Sequence, residues 1–240
     1  MPTQVTGPAQ INPFDLTLDS ATQEFAFGTR VETPDGRAYR YVEAGGTALI
    51  VGQLQQAPVE DTAHQNLTIT AASLVGDTTV NFTLGNSAVT LNEYAGGYLM
   101  ITQTPGQGYQ YLIASHPAAD ASAALVVTLS DPIRVALTTS SVIDLVLSPW
   151  RVIVVDPNSA TSAAIGVAVT AITANQFGWV QTAGVACILS DGGSTVGTNV
   201  SASNATPGSV EAQVTAQASV GVALTGVATT EYGAFLLNIE

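Results

Sequence analysis

The feature that most constrains the fold is a repeat in the last third of the chain. Ile165-Gly166-Val167-Ala168-Val169-Thr170-Ala171-Ile172 matches Val220-Gly221-Val222-Ala223-Leu224-Thr225-Gly226-Val227 at an offset of 55 residues. The match continues at the same offset, with Gln176-Phe177-Gly178-Trp179-Val180 against Glu231-Tyr232-Gly233-Ala234-Phe235. Each copy reads as a strand, a polar turn, an aromatic-glycine step and a second strand. A glycine after the aromatic lets a neighbouring backbone or ring approach closely. Two copies are too few for a solenoid, which needs about three or more. Two related hairpins closing one small barrel is the simpler account.

The rest of the chain carries the same β character. Arg30-Val31-Glu32 and Ala38-Tyr39-Arg40-Tyr41-Val42 flank Pro34-Asp35-Gly36, a tight-turn signal in which Gly36 is free to take positive φ. A short strand is expected at residues 48–51. Residues 63–150 contain alternating runs such as Leu67-Thr68-Ile69-Thr70 and Val80-Asn81-Phe82-Thr83-Leu84, with further strands expected at 98–102, 109–113, 124–129, 134–137 and 142–147. No amphipathic helix pattern of useful length occurs, and residues 90–94 could form at most one helical turn. Regular turn signals between short strands suggest sandwiches or barrels.

The character of the chain changes near Asp61 and again near Trp150. The expected architecture is therefore all-β. It has an extended N-terminal arm (1–27), a β-barrel built from 28–62 with 151–240, and a β-sandwich or barrel domain (63–150) inserted in it. The arm holds three prolines, Pro2, Pro8 and Pro13. Phe14, Leu16, Leu18, Phe25 and Phe27 make it too apolar for a free tail. It packs either on a neighbouring subunit or as an edge strand on its own domain.

Composition excludes several function classes. Of 240 residues, 46% are apolar and 10% are charged, against about a quarter charged in an ordinary soluble domain. Five arginines and no lysine stand against 18 acids, a formal charge of −13. Nucleic-acid binding needs a basic face to release counterions, and five arginines supply none. With so few charges to cover an outer surface, part of the Ala, Val and Thr surface is expected to be buried against other chains. The N-terminus lacks a positive region followed by an apolar stretch, so synthesis in a cytoplasm is expected. The longest apolar run, 163–172, is about half a membrane span.

The residues that carry chemistry are sparse. His64 and His116 stand alone in sequence and read as surface loop residues. No Cys-x-x-Cys, His-x-x-x-His or calcium-loop spacing occurs. Cys187, the single cysteine, sits in Val185-Ala186-Cys187-Ile188-Leu189 and reads as a small core residue. No Gly-x-Ser-x-Gly elbow is present. Gly192-Gly193-Ser194-Thr195-Val196-Gly197 lacks the lysine of a phosphate loop and reads as a turn. Any acidic β protein offers a carboxylate pair, but aromatic platforms are scarce. The expectation is no enzyme, with no catalytic, cofactor-binding or metal-ligating residue.

Several phrases together carry a resemblance. They are Phe27-Gly28-Thr29-Arg30-Val31, Asp35-Gly36-Arg37-Ala38-Tyr39-Arg40-Tyr41-Val42-Glu43-Ala44-Gly45-Gly46, and Tyr94-Ala95-Gly96-Gly97-Tyr98-Leu99 with Gly106-Gln107-Gly108-Tyr109-Gln110-Tyr111-Leu112-Ile113. Asp131-Pro132-Ile133-Arg134-Val135-Ala136-Leu137-Thr138, Gly178-Trp179-Val180-Gln181-Thr182-Ala183-Gly184 and Ser219-Val220-Gly221-Val222-Ala223-Leu224 complete them. The chain resembles structural proteins encoded near the major capsid gene of tailed bacteriophages, and its C-terminal part resembles the small β-barrel cement, or decoration, proteins of phage heads. The resemblance implies a homotrimer on the outer surface of an expanded icosahedral head, clamping capsomers through the major capsid protein. It implies no cofactor, nucleic acid or membrane. Under it, the candidate capsid or inter-subunit contacts are Phe14, Leu16 and Leu18 in the arm, then Arg30, Arg37 and Arg40, the only cationic cluster. The alternative for the arginines is pairing with Glu32, Asp35 and Glu43 in their own domain. The rival functions are a carbohydrate-binding or adhesive β module of a fibre or surface layer, and a hydrolase with a carboxylate pair.

Overall fold

The computed structural model describes residues 15–214 and 217–240. Its regular structure is almost entirely β. In chain order the strands are β1 (Arg30–Glu32), β2 (Ala38–Glu43), β3 (Leu54–Gln56), β4 (Leu67–Ala71), β5 (Thr79–Thr83) and β6 (Tyr98–Gln103). Then come β7 (Gln110–Ser115), β8 (Ala124–Leu129), β9 (Val142–Val146), β10 (Val154–Val155) and β11 (Ala164–Ala168). The last are β12 (Phe177–Leu189), β13 (Asn199–Ala202), β14 (Val210–Ala212), β15 (Gly221–Ala223) and β16 (Tyr232–Asn238). Single 3-10 turns occur at Asp15–Thr17 and Thr62–His64. The chain divides into two compact units, one formed by the described residues up to Val59 with Pro149–Glu240, the other by Glu60–Ser148. The domain read from the sequence as 63–150 corresponds to this second unit.

One local device recurs through both units. A single residue makes an antiparallel bridge, in the pairs Leu49–Ile172, Ser73–Leu137, Val89–Ala119 and Ser194–Val227. A tight turn follows each. The residue four places after the bridge donates its N–H to the carbonyl one place after it, as in Gln53 to Ile50 and Gln176 to Thr173. The third place takes positive φ at Gly52, Gly76, Asn92, Ser122, Asn175, Gly197 and Thr230. That is the backbone of a type II turn, which favours Gly or Asn there. This device replaces the strands expected at 48–51 and 134–137, because the chain must reverse directly after Leu49 and Leu137.

The first unit is internally duplicated well beyond the sequence repeat. β12, 13 residues long, changes partners near Gly184, whose φ is +85°. Residues 177–183 pair with β2 and 183–189 with β16. β2, the Leu49 turn, β3, β10, β11, the Ile172 turn and the first half of β12 form one copy. The second half of β12, the Ser194 turn, β13, β14, β15, the Val227 turn and β16 form the other. Each pairing recurs: β2–β12 as β12–β16, β3–β11 as β13–β15, β11–β12 as β15–β16, and β10–β3 as β14–β13. Parallel bridges Ala44–Ile153 and Ser190–Val210 also correspond. The whole second unit lies in the chain between β3 and β10, where the other copy has only residues 203–209.

The repeat glycines have a packing reason. A Cβ on Gly178 would lie 2.7 Å from Ile172 Cδ1, and one on Gly233 would lie 2.1 Å from Val227 Cγ2. Ile172 and Val227 are the equivalent bridge residues, so each glycine seats the side chain of its own hairpin's bridge.

The second unit is a closed six-stranded barrel in the order β4-β5-β8-β7-β6-β9. Exchanging β4, β5 and β6 for β7, β8 and β9 reproduces the same ring, so this unit also has an approximate two-fold repeat. Inward residues alternate along its strands, and Phe82, Leu99, Ile113, Leu125 and Ile143 are buried in one core. Each such side chain contributes roughly 1.5–3 kcal/mol by leaving water.

The described part of the N-terminal segment packs on its own unit. Leu16 is 3% exposed and joins Val31, Tyr39, Tyr41 and Trp179. Ser20 bridges to Phe177, and the Phe25 ring lies 5.3 Å from Tyr41 and 5.4 Å from Trp179.

Candidate functional site

The six residues singled out from the sequence fall in different places. Phe14 lies outside the described residues. Leu16 is a core residue of its own unit, which corrects its reading as a contact with another chain. Leu18 is half exposed. The arginines are engaged within their own unit. Arg30 and Arg40 stand directly opposite each other on β1 and β2, an arrangement that repels. Glu240 resolves it. Its Oε1 accepts from Arg30 Nε at 3.2 Å and Thr182 Oγ1 at 2.6 Å, and its Oε2 accepts from Arg40 Nε at 2.8 Å. Burial would raise the Glu240 carboxyl, but hydrogen bonds from Arg40 and Thr182 and the Arg40 charge hold it below its ordinary value. Arg30 also pairs with Glu32, Arg37 with Asp35 at 2.7 Å, and Arg151 with Glu43 at 3.0 Å. Arg40 further donates to Gly28 O and lies over the Trp150 ring.

Two sequence readings are overturned. His64 and His116 are 0% and 3% exposed, not surface residues. They are buried because each ring has a matched partner at both nitrogens. His64 Nε2 meets the Ser87 carbonyl at 3.2 Å and so carries the proton, leaving Nδ1 to accept from the Tyr94 hydroxyl at 2.7 Å. His116 Nε2 accepts from the Tyr94 backbone N–H at 2.9 Å, and Nδ1 donates to Pro117 O at 2.8 Å. Burial raises the Tyr94 hydroxyl strongly. Cys187 is exposed, not core. Its strand alternates, with Ala186 and Ile188 inward and Val185 and Cys187 outward.

That outward face is the first candidate site. Val185 opposes Leu236 and Cys187 opposes Ala234 across β12 and β16, and Val222 continues the row on β15. Val185 is 52% exposed, Leu236 44% and Tyr232 50%. The turn Ile50–Gly52 borders the row. Its Gly52 carbonyl accepts from Leu189 N–H, and the Tyr232 ring covers Gly52. Ile50 and Val51 are both about half exposed. A contiguous apolar, uncharged face of this kind is a candidate interaction site. In the second unit the turn tips likewise expose Leu74, Val75 and Leu91.

Cavities among the described residues include two in the first unit. One, about 370 Å³, is lined by Phe25, Tyr41, Phe177 and Trp179 together with Asp15, Asp19 and Glu24. The other, about 420 Å³, is lined by Asp156 and by residues of the β10–β11, β13–β14 and β14–β15 connections. Asp156 is 2% exposed, and its Oδ2 accepts no hydrogen bond. Burial pushes its carboxyl up to about 6. Nothing in the spacing around Asp156-Pro157 distinguishes it from an ordinary turn acid, so sequence reasoning passed over it. Among the described residues no group of three or more His, Cys, Asp or Glu could hold a metal ion, and no helix is long and apolar enough to cross a membrane.

No protein-family model matches the chain, and no curated protein or solved structure matches it either.

Proposed function

We propose that the protein is a structural virion protein that binds the outer surface of an icosahedral phage head and stabilises contacts between capsomers. The observation that carries this reading is the apolar face formed by Val185, Cys187, Ala234, Leu236 and Val222. The chain carries a formal charge of −13, yet this face carries none, so it can be desolvated against another protein without burying an unpaired charge. The face is built on paired strands, and the bordering turn Ile50–Gly52 is held by a bridge on one side and a strand hydrogen bond on the other. Rigid apolar surface of this kind suits a clamp, because little ordering entropy is lost on binding. The partners are the major capsid protein and further copies of the chain in a homotrimer, and the reading involves no catalysis.

The test is co-sedimentation with expanded, undecorated shells from the same genome, with the native mass measured by light scattering. A trimer that pellets saturably is expected. Leu236→Glu, on an outward-facing strand position, is expected to remain folded and stay in the supernatant. A monomer that ignores shells sinks the reading.

A second reading, a carbohydrate-binding or adhesive module, is favoured by the cavity that joins Phe25, Tyr41, Phe177 and Trp179 to three carboxylates. The part-exposed Phe25 and Phe177 rings can stack on a sugar face while the carboxylates accept hydrogen bonds from its hydroxyl groups. Saturable glycan binding that is lost in Phe25→Ala, with no shell binding, would favour this module.

A further inference from the structure

The Asp156 cavity is built around one unsatisfied charge. Asp156 follows β10, is almost wholly buried, and presents an Oδ2 with no hydrogen-bond donor. Among the described residues no arginine or histidine lines the cavity, and the chain contains no lysine. A buried carboxylate is ordinarily paired or hydrogen-bonded, because its desolvation is costly otherwise. The remaining walls set methyl groups, from Ala163, Ala202 and Val220 among others, beside polar residues such as Asn158, Asn204 and Gln217. One wall is held in place by Gln56, whose Oε1 accepts from Thr161 and Ser162 N–H at 3.3 and 3.2 Å and whose Nε2 donates to Thr161 Oγ1 at 2.8 Å. The volume, about 420 Å³, lies in the range of small-molecule sites.

We propose that this cavity binds a primary ammonium carried on an aliphatic stem. The ammonium would pair with the Asp156 carboxylate while the stem packs on the alanine and valine walls. A hard divalent cation is a poorer match, since among the described residues Asp156 is the one carboxylate lining the cavity and no group of three or more His, Cys, Asp or Glu gathers there. Because the chain has no lysine, the ligand is not a side chain of another copy. It is either a lysine of a different protein or a free aliphatic amine. The inference does not depend on the capsid reading.

The experiment is calorimetric titration of the whole protein at pH 8 with n-butylammonium, with 1-butanol and calcium chloride as controls. Saturable binding of butylammonium and none of either control is expected. Asp156→Asn, which keeps the shape and removes the charge, is expected to weaken binding by about tenfold or more, equivalent to about 1.4 kcal/mol, without lowering the melting temperature. Ala218→Leu keeps the carboxylate but fills the cavity, and is expected to weaken binding as well. Tighter binding of N-acetyl-lysine methylamide than of 1,5-diaminopentane assigns the site to a protein lysine, and the reverse order assigns it to a free amine. Absence of saturable binding, equal binding by Asp156→Asn, equal binding of 1-butanol, or binding of calcium alone would overturn the proposal.

Discussion

The second unit closes its sheet into a ring and pairs its buried polar side chains, whereas the first leaves a sheet open and keeps two buried acceptors without partners. Closure removes the exposed strand edges that an open sheet must manage. In the barrel of Glu60–Ser148, His64, Tyr94 and His116 satisfy one another and nearby carbonyls. Among the described residues the buried side-chain atoms without partners are Gln55 Oε1 and Asp156 Oδ2, both in the first unit. The same turn device builds both units, so the difference does not arise from local backbone chemistry. The apolar face of β12, β15 and β16 and the unsatisfied carboxylate both belong to the first unit.

The largest expected effect comes from removing the unsatisfied charge. The Asp156 carboxyl is raised from 3.8 to about 6 by burial. Between those values the folded protein keeps a proton that the unfolded chain has released, so stability falls as pH rises through this window. The penalty is absent below about pH 4 and complete above about pH 6, where it reaches about 3 kcal/mol. Asp156→Asn is therefore expected to raise stability by up to that amount at pH 7 and to leave it unchanged at pH 3.5. Chemical denaturation at both pH values checks this; an equal effect at both would break the comparison.

Satisfied groups in the barrel should behave in the opposite sense. His116→Phe leaves the Tyr94 N–H buried without an acceptor and is expected to cost about 1–3 kcal/mol. Urea denaturation measures it, and a neutral outcome would show that the histidine network does not distinguish the units. The duplication within the first unit can be sharpened by a matched pair. In Gly233→Ala the new methyl would meet Val227 Cγ2, close to its backbone, and a cost of about 1–3 kcal/mol is expected. Gly178→Ala meets the far end of Ile172, which can rotate away, so its cost should be the smaller of the two in the same assay. The smallest effect belongs to Glu240. Its lowered carboxyl contributes stability that is present above its unfolded value and lost as pH falls below about 4.5. Glu240→Gln should flatten that acid limb of a thermal-melt pH series.

Much of the fold could be read in the sequence, for identifiable reasons. All-β architecture followed from alternation and turn residues. The 55-residue repeat was visible because both copies need a bridge residue, a turn and a glycine beneath the bridge. The other half of the duplication was not recognised. There the two copies share only Gly45-Gly46 with Val51-Gly52 against Gly192-Gly193 with Val196-Gly197, and one is interrupted by the second unit. The strand around Cys187 was legible but its face was not, because apolar residues occupy both sides. The burial of His64 and His116 depends on partners 22 to 30 residues away, which no local spacing reveals. Pairing of Arg37 with Asp35 was readable from the turn between them, while Glu240 reaches Arg40 across 200 residues of chain. Asp156 has no sequence signature at all; only its burial distinguishes it.

Under the proposed function, the face of β12, β15 and β16 is covered by the shell. Cys187, the sole cysteine, is exposed in the middle of that face and can report on it directly. The measurement is the rate of maleimide labelling of Cys187 in the dilute protein and after saturation of undecorated shells. The account predicts rapid labelling in the free protein and protection once it is bound. Equal rates in the two states would contradict it.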